Sequence, residues 1–150
     1  MKKILIAFDG SDNAIKSAKK GISIAQAYNA DIIVLYVIKK ESSSMYVAEN
    51  SVYGDSPRQL SLMLSNTSPE KAAVEILEKA EELFEDRGLK IKYLIAEGHV
   101  ANNICSIAEE EQVDLIVMGR RGISSFKKFF LGSTSASVVQ AAKTSVLLDH

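Results

Sequence analysis

The sequence lacks several features that would point to particular classes of protein. Its one cysteine, Cys105, cannot form an internal disulfide, which is typical of a reducing compartment and favours the cytoplasm. The formal net charge of −1 provides no positive excess for the phosphate backbone of a nucleic acid. No apolar run approaches the roughly 18 residues of a membrane-spanning helix, and Asp9 ends the first apolar run too early for a secretory signal. We therefore expect neither nucleic-acid binding nor membrane binding.

Two kinds of functional motif are also missing. The G-x-x-x-x-G-K-[ST] pattern of P-loop nucleotidases is absent. The histidines, His99 and His150, lie far apart in sequence, so a metal site is not expected. No residue stands out as the group that would orient water and stabilise charge on a γ-phosphate, which an ATPase requires. Catalysis is therefore not the first expectation.

The chain has the composition and element pattern of one domain spanning residues 1–150. Apolar residues make up 47% of the sequence and charged residues 25%, which is ordinary for a globular protein. Buried apolar runs alternate with helical periodicity, and this predicts an α/β fold with a parallel sheet covered by helices on both faces. The five expected strands lie at residues 3–9, 32–38, 90–96, 115–118 and 145–148.

Residues 40–67 interrupt this alternation. They are rich in serine and include a glycine and a proline, which predicts a long connection that is flexible or functional. Leu60, Met63 and Leu64 have the spacing of one helical turn with an exposed apolar patch. We expect a flexible insertion that acts as a lid or as a contact surface.

The most specific pattern lies in residues 115–135. A buried apolar run ends at Gly119, a second glycine follows at Gly122, and nine residues separate it from Gly132. Hydroxyl residues occupy positions 133–135, where the next helix begins. Glycines allow close approach of the backbone to a ligand, and the start of a helix attracts anions. The pattern therefore predicts a phosphate-binding loop.

Each of these residues also has an ordinary structural explanation. Gly119 and Gly122 could be turn residues, and Ser133 or Thr134 could be a helix N-cap. Asp9 could cap the turn that follows the first strand. The loop also carries two arginines and two lysines, and this concentration of positive charge favours an anion.

The ends of the first and fourth predicted strands would form one crevice if the two strands are neighbours. Asp9 follows the first strand and Gly119 follows the fourth. Ligands of open parallel sheets bind at the carboxyl ends of the strands, where the strand order reverses. A mononucleotide is the expected ligand there.

The glycine spacing resembles that of the universal stress protein family. Gly119-x-x-Gly122, nine residues, and then Gly132-Ser133-Thr134 match the pattern of its ATP-binding branch, which is G-x-x-G, nine residues, G, then Ser or Thr. The match is complete in residue type and in spacing.

The resemblance covers the chain outside residues 40–67. It implies a five-stranded parallel sheet of order 3-2-1-4-5 and bound ATP, with or without Mg²⁺. In this family the last strand commonly pairs with the same strand of a second copy. A homodimer is therefore expected, formed through Val146, Leu147 and Leu148.

The resemblance also implies roles for individual residues. Asp9 matches the acid that hydrogen-bonds the ribose hydroxyls, and Ala7 matches the small residue beside the adenine. Val37 occupies the position whose main chain contacts the adenine edge, and Met118 would line the pocket. The phosphate-binding positions are Gly119, Gly122, Gly132, Ser133 and Thr134, with Arg121 and Ser135 as weaker additions.

Three functions fit these expectations. The first is a nucleotide-dependent regulatory protein of the stress response that acts through a partner or through self-association. The second is a slow ATPase or phosphotransferase that uses Asp9 or Asp12 with Mg²⁺. The third is an interaction protein whose loop is vestigial.

Overall fold

The computed structural model describes residues 1–40, 51–121 and 131–149. Within them the chain forms one sheet with helices on both sides, and no helix there is long and apolar enough to cross a membrane. The strands are β1 (Lys3–Ala7), β2 (Asp31–Lys39), β3 (Val52–Gly54), β4 (Ile91–Gly98), β5 (Leu115–Gly119) and β6 (Ser145–Asp149). The helices are α1 (Asp12–Tyr28), α2 (Pro57–Met63), α3 (Ser68–Phe84), α4 (Val100–Glu110) and α5 (Ser133–Ala141).

The strands are arranged in the order β3-β4-β2-β1-β5-β6. Every neighbouring pair is parallel except β3 and β4, which are antiparallel. The predicted order 3-2-1-4-5 is confirmed, because the five predicted strands correspond to β4, β2, β1, β5 and β6. The extra edge strand β3 corrects the expectation of a five-stranded, all-parallel sheet. It has three residues, which is too short for a hydrophobic period to reveal it.

Part of the predicted insertion, residues 40–67, is regular structure. Both β3 and α2 lie within it. Leu60 is fully buried in the core, whereas Leu62 and Met63 are exposed. The expected apolar patch is therefore confirmed at Met63 and wrong at Leu60, which faces the core, while Leu64 is half-buried against the core. Residues 41–50 lie outside the described residues, so the flexibility expected of them stays a prediction.

Two hydrophobic clusters cover the two faces of the sheet, and the predicted placement of helices on both faces is confirmed. One cluster joins α1, α2 and α3 to strand residues such as Ile6 and Val117. The other joins α4 and α5 to Ala7, Val37 and Met118. Successive side chains of a strand point to opposite faces, so these last three residues lie on the same face of the sheet.

Candidate functional site

The carboxyl ends of β1 and β5 lie side by side, as the family resemblance implied. In the parallel pairing of these strands, Ala7 is opposite Met118. Ala7 is also opposite Leu35 of β2, and Val37 follows two residues later on the same face. Ala7 is half-buried, while Val37 and Met118 are buried. The structure thus brings together three of the predicted site residues as a small apolar surface beneath α4 and α5.

Asp9 caps the turn that follows β1. Its Oδ1 accepts a hydrogen bond of 2.9 Å from the main-chain amide of Ser11, and Gly10 between them has a φ of +79°. The interpretation of Asp9 as a residue that caps this turn is therefore confirmed. Among the described residues no hydrogen bond is made to Asp9 Oδ2, so the carboxylate can cap the turn and still accept from a ligand. Burial, and secondarily the negative charge of Asp9, raise the pKa of Tyr36.

The first residues of the glycine loop, Gly119–Arg121, are held by main-chain hydrogen bonds to two other elements. The amide of Arg120 donates to the carbonyl of Asp149, at the end of β6, over 2.8 Å. The amide of Gly132, just before α5, donates to the carbonyl of Arg120 over 3.0 Å. We call Gly119–Arg121 the loop root, since it joins β5 to the part of the loop outside the described residues.

Ser135 ties α5 to the loop root. Its side chain is buried, and its hydroxyl oxygen lies 3.0 Å from the carbonyl oxygens of both Gly119 and Arg120. A hydroxyl has one proton to donate, so the two carbonyls share it. Ser135 therefore holds the loop, and its hydroxyl could reach a phosphate only by exchanging these contacts.

Gly119 and Gly132 are glycines at places where two backbones approach closely. A Cβ on Gly119 would lie 2.9 Å from the Cβ of Asn13 and 3.1 Å from its carbonyl carbon. A Cβ on Gly132 would lie 3.3 Å from the carbonyl oxygen of Arg120. Gly132 has a φ of −61°, so turn geometry does not require glycine there. Gly122 lies outside the described residues, and its predicted role stays a prediction.

Asn13 contacts the loop root from α1, and no sequence pattern singled it out. Its side-chain Nδ2 donates a hydrogen bond of 3.3 Å to the carbonyl oxygen of Arg121, which is 108 residues away in sequence. In sequence Asn13 is an ordinary polar residue of a first helical turn, so only the tertiary structure shows the contact.

Within residues 1–40, 51–121 and 131–149, no side chain caps the start of helix α5. Its N-cap is Gly132, so the N-cap explanation of Ser133 and Thr134 is wrong; the helix starts one residue earlier than that explanation requires. By contrast, Ser11 and His99 cap α1 and α4 with side-chain acceptors. The first amides of an α-helix have no partner inside the helix, so an uncapped start can bind an anion. Ser133 is exposed there and Thr134 is half-buried.

A metal site does not emerge from the part of the chain that the structure describes. It contains no group of three or more His, Cys, Asp or Glu side chains that could hold a metal ion. Asp12 is exposed in the first turn of α1. Cys105 is buried on α4, and this burial raises the pKa of its thiol.

Comparison with known proteins finds matches along the whole chain. The model of the universal stress protein family matches residues 1–150. Universal stress protein MJ0531 of Methanocaldococcus jannaschii is 33% identical over 147 residues, which cover 98% of this chain and 81% of that protein.

Two solved structures share the fold. A universal stress protein in complex with cAMP superposes with a TM-score of 0.70 at 24% identity, covering 99% of this chain and 97% of that one. A universal stress protein from Archaeoglobus fulgidus in complex with dAMP superposes with a TM-score of 0.69 at 16% identity. The superposition covers 100% of this chain and 98% of that one. At these identities the likeness is one of fold.

Proposed function

The chain belongs to the universal stress protein family, and from that premise we propose that it binds ATP and acts as a nucleotide-dependent regulatory protein of the stress response. The ligand would lie at the carboxyl ends of β1, β2 and β5. The observation that carries the proposal is the uncapped start of α5, which Ser135 and Gly132 hold against the loop root.

The start of α5 supports phosphate binding for three reasons. The amides of Ser133 and Thr134 stand at the positive end of the helix dipole. Their hydroxyls add hydrogen-bond donors at the same end. Arg121 brings a positive charge into the loop root that borders the helix start. A triphosphate matches this set better than a neutral ligand, because charge-assisted hydrogen bonds are the stronger ones.

The apolar surface formed by Ala7, Val37 and Met118 supports a flat base beside the phosphate site. Ala7, the smallest of the three, would leave room for the ring, and the main chain at Val37 would contact its edge. Asp9 Oδ2 would accept hydrogen bonds from the ribose hydroxyls while Oδ1 keeps its bond to Ser11. Proteins of the same fold are described in complex with cAMP and with dAMP, and both ligands contain adenine.

ATP is proposed over other adenine nucleotides because of the glycine spacing. Gly119, Gly122 and Gly132 with the hydroxyls behind them follow the pattern of the ATP-binding branch. Mg²⁺ is left out of the proposal.

Self-association through β6 is part of the proposal. This strand lies at an edge of the sheet, and Val146, Leu147 and Leu148 remain only half-buried, unlike the central residues 4–6 of β1. An edge strand with apolar side chains and unpaired main-chain groups favours pairing with a second copy. Light scattering should then give twice the 16.4 kDa of the chain. The proposed location is the cytoplasm, which the single Cys105 favours.

The decisive experiment identifies the ligand directly. The purified protein is denatured, the released small molecules are analysed by mass spectrometry, and the refolded or ligand-free protein is titrated calorimetrically with ATP, adenosine and CTP. We expect released adenine nucleotide, and tighter binding of ATP than of adenosine or CTP. A protein that releases no nucleotide and gives no heat with millimolar ATP would contradict the proposal.

A further inference from the structure

We propose that Asn13 is a positioning residue for phosphate binding, because its side chain holds the loop root in the orientation that an anion needs. The inference rests on the proposed nucleotide site and adds a residue from α1, an element to which the glycine pattern assigns no role. Asn13 would not contact the nucleotide. It would act on the phosphates through the peptide group of Arg121.

Asn13 meets the loop root through its backbone and through its side chain. The carbonyl carbon of Asn13 and its Cβ leave no room for a side chain at position 119. The same residue reaches past Gly119 and donates from Nδ2 to the carbonyl oxygen of Arg121 over 3.3 Å. The first turn of α1 is therefore packed against the point where β5 ends.

Three consecutive carbonyl oxygens of the loop root are hydrogen-bonded to the protein. Ser135 donates to those of Gly119 and Arg120, and the Gly132 amide also donates to that of Arg120. Asn13 donates to the third, that of Arg121. The donors come from two directions, since Gly132 and Ser135 belong to the start of α5 while Asn13 belongs to α1.

This arrangement has an electrostatic consequence. A carbonyl oxygen carries a partial negative charge and would repel a phosphate that it faced. Hydrogen bonds from the protein hold the three oxygens of the loop root, and that of Arg121 is held by α1, which packs on the opposite face of the sheet from α5. A planar peptide turns as one unit. Without Asn13 the Arg121 carbonyl would lose its tether to α1 and could rotate toward the anion. The loss should therefore weaken phosphate binding and leave base and ribose binding unchanged.

The test compares a nucleotide with its phosphate-free nucleoside. Asn13→Ala and the matched control Asn102→Ala are titrated calorimetrically with ATP and with adenosine. Asn102 is an exposed asparagine in the first turn of α4, and its side chain makes no hydrogen bond with the described residues. We expect N13A to weaken ATP binding about five- to tenfold, which corresponds to the loss of one hydrogen bond and the rotation of the Arg121 carbonyl. Adenosine binding should stay within about twofold, and N102A should change neither ligand.

A second variant and a ligand-free measurement cover the case in which N13A folds poorly. Asn13→Asp keeps the size of the side chain and suits a helix start, but its carboxylate cannot donate to the Arg121 carbonyl. It should lose ATP affinity at least as strongly as N13A. In the ligand-free protein, the Gly132 amide should exchange its hydrogen faster in N13A than in the wild type, because its acceptor lies in the loop root.

Each outcome decides one of the two proposals. Wild-type protein that binds ATP, with an N13A variant that binds it equally well, overturns the role of Asn13 and leaves the nucleotide site intact. Equal weakening of ATP and adenosine also overturns it, since that result indicates a general structural role. Wild-type protein that binds no adenine nucleotide overturns the proposed function, and the role of Asn13 with it.

Discussion

The main-chain amide of Arg120 donates a hydrogen bond of 2.8 Å to the carbonyl oxygen of Asp149. The bond continues the pairing of β5 with β6, in which Gly119 is opposite Asp149. It therefore joins the loop root of the proposed nucleotide site to the strand through which the protein is proposed to self-associate.

Nucleotide binding should strengthen self-association because of this bond. ATP that orders the loop root would also restrict the motion of the end of β6. The coupling between the nucleotide site and the β6 interface is reciprocal. We expect the dimer dissociation constant, measured by analytical ultracentrifugation, to fall at least about fivefold with saturating ATP. Adenosine is the control, since it does not reach the phosphate loop. An unchanged constant would show that β6 and the loop are independent.

Gly119→Ala should destabilise the protein and impair the site together. The added Cβ would come within 2.9 Å of Asn13 Cβ, so α1 or β5 must shift. We expect a loss of about 1–3 kcal/mol in the free energy of unfolding in urea, as in other overpacked sites. ATP binding should weaken as well.

Gly88→Ala is the matched control for this substitution. Gly88 has a φ of +66°, and no atom lies within 4 Å of a Cβ placed there. G88A should cost about 1–2 kcal/mol through its backbone conformation alone and should leave ATP affinity unchanged. Equal effects of the two substitutions on ATP binding would contradict a specific role of Gly119.

Ser133 and Ser135 should behave differently although they belong to the same helix turn. Ser135→Ala removes the hydroxyl between two loop carbonyls, so we expect a loss of about 1–3 kcal/mol in the free energy of unfolding. Ser133→Ala changes an exposed side chain and should stay within about 0.5 kcal/mol. ATP affinity should fall in S133A, since its hydroxyl is a proposed phosphate donor. A stable S135A protein would disprove the tether.

His99→Asp should stabilise the protein. The imidazole Nδ1 of His99 caps α4 by accepting from the amide of Asn102 over 3.3 Å. Aspartate is a better N-cap, and its charge suits the positive end of the helix dipole. We expect a gain of about 0.5–1 kcal/mol in thermal or urea unfolding, and a loss for His99→Ala. A destabilised H99D variant would show that the histidine serves more than the cap.

Asp114 should make stability depend on pH in the acidic range. Its Oδ2 accepts from the main-chain amides of Lys2 at 2.6 Å and Lys3 at 2.9 Å. These hydrogen bonds lower the pKa of Asp114, so the folded protein favours the charged carboxylate. The contribution is present above the ordinary pKa of about 3.9 and is lost as the pH falls through the lower folded value.

Comparison of the wild type with Asp114→Ala tests this dependence. The variant should be the less stable protein in urea at pH 7, and the difference should shrink below about pH 4. A difference that stays constant between pH 7 and pH 3 would show that the carboxylate charge is not involved.

The sequence predicted the long strands well for a physical reason, whereas their order came from the resemblance to the family. Residues such as Ile4 and Val117 belong to central strands buried on both faces, and such strands need continuous apolar runs that are visible without a structure. The short strand β3 was missed because three residues carry no period. Leu60 was misplaced because its burial depends on packing against the rest of the core.

The site was predictable only in its outline. Spacing marked Gly119 and Gly132 as special, but the reason for the first is the close approach of Asn13, more than a hundred residues away. Ser135 was expected to face a phosphate, and its contact with two carbonyls became visible only in the fold. Contacts of this kind depend on how α1, β5 and α5 are placed in space, which local sequence does not encode.

The position of β1 in the middle of the sheet bears on how quickly the protein can fold. Ile4 pairs with Ile32 on one side and with Leu115 on the other, more than a hundred residues away. Closing so long a loop costs chain entropy before any contact compensates for it. We expect refolding in milliseconds to seconds, slower than that of a helical bundle of equal size, with β1 and β2 pairing before β5 arrives.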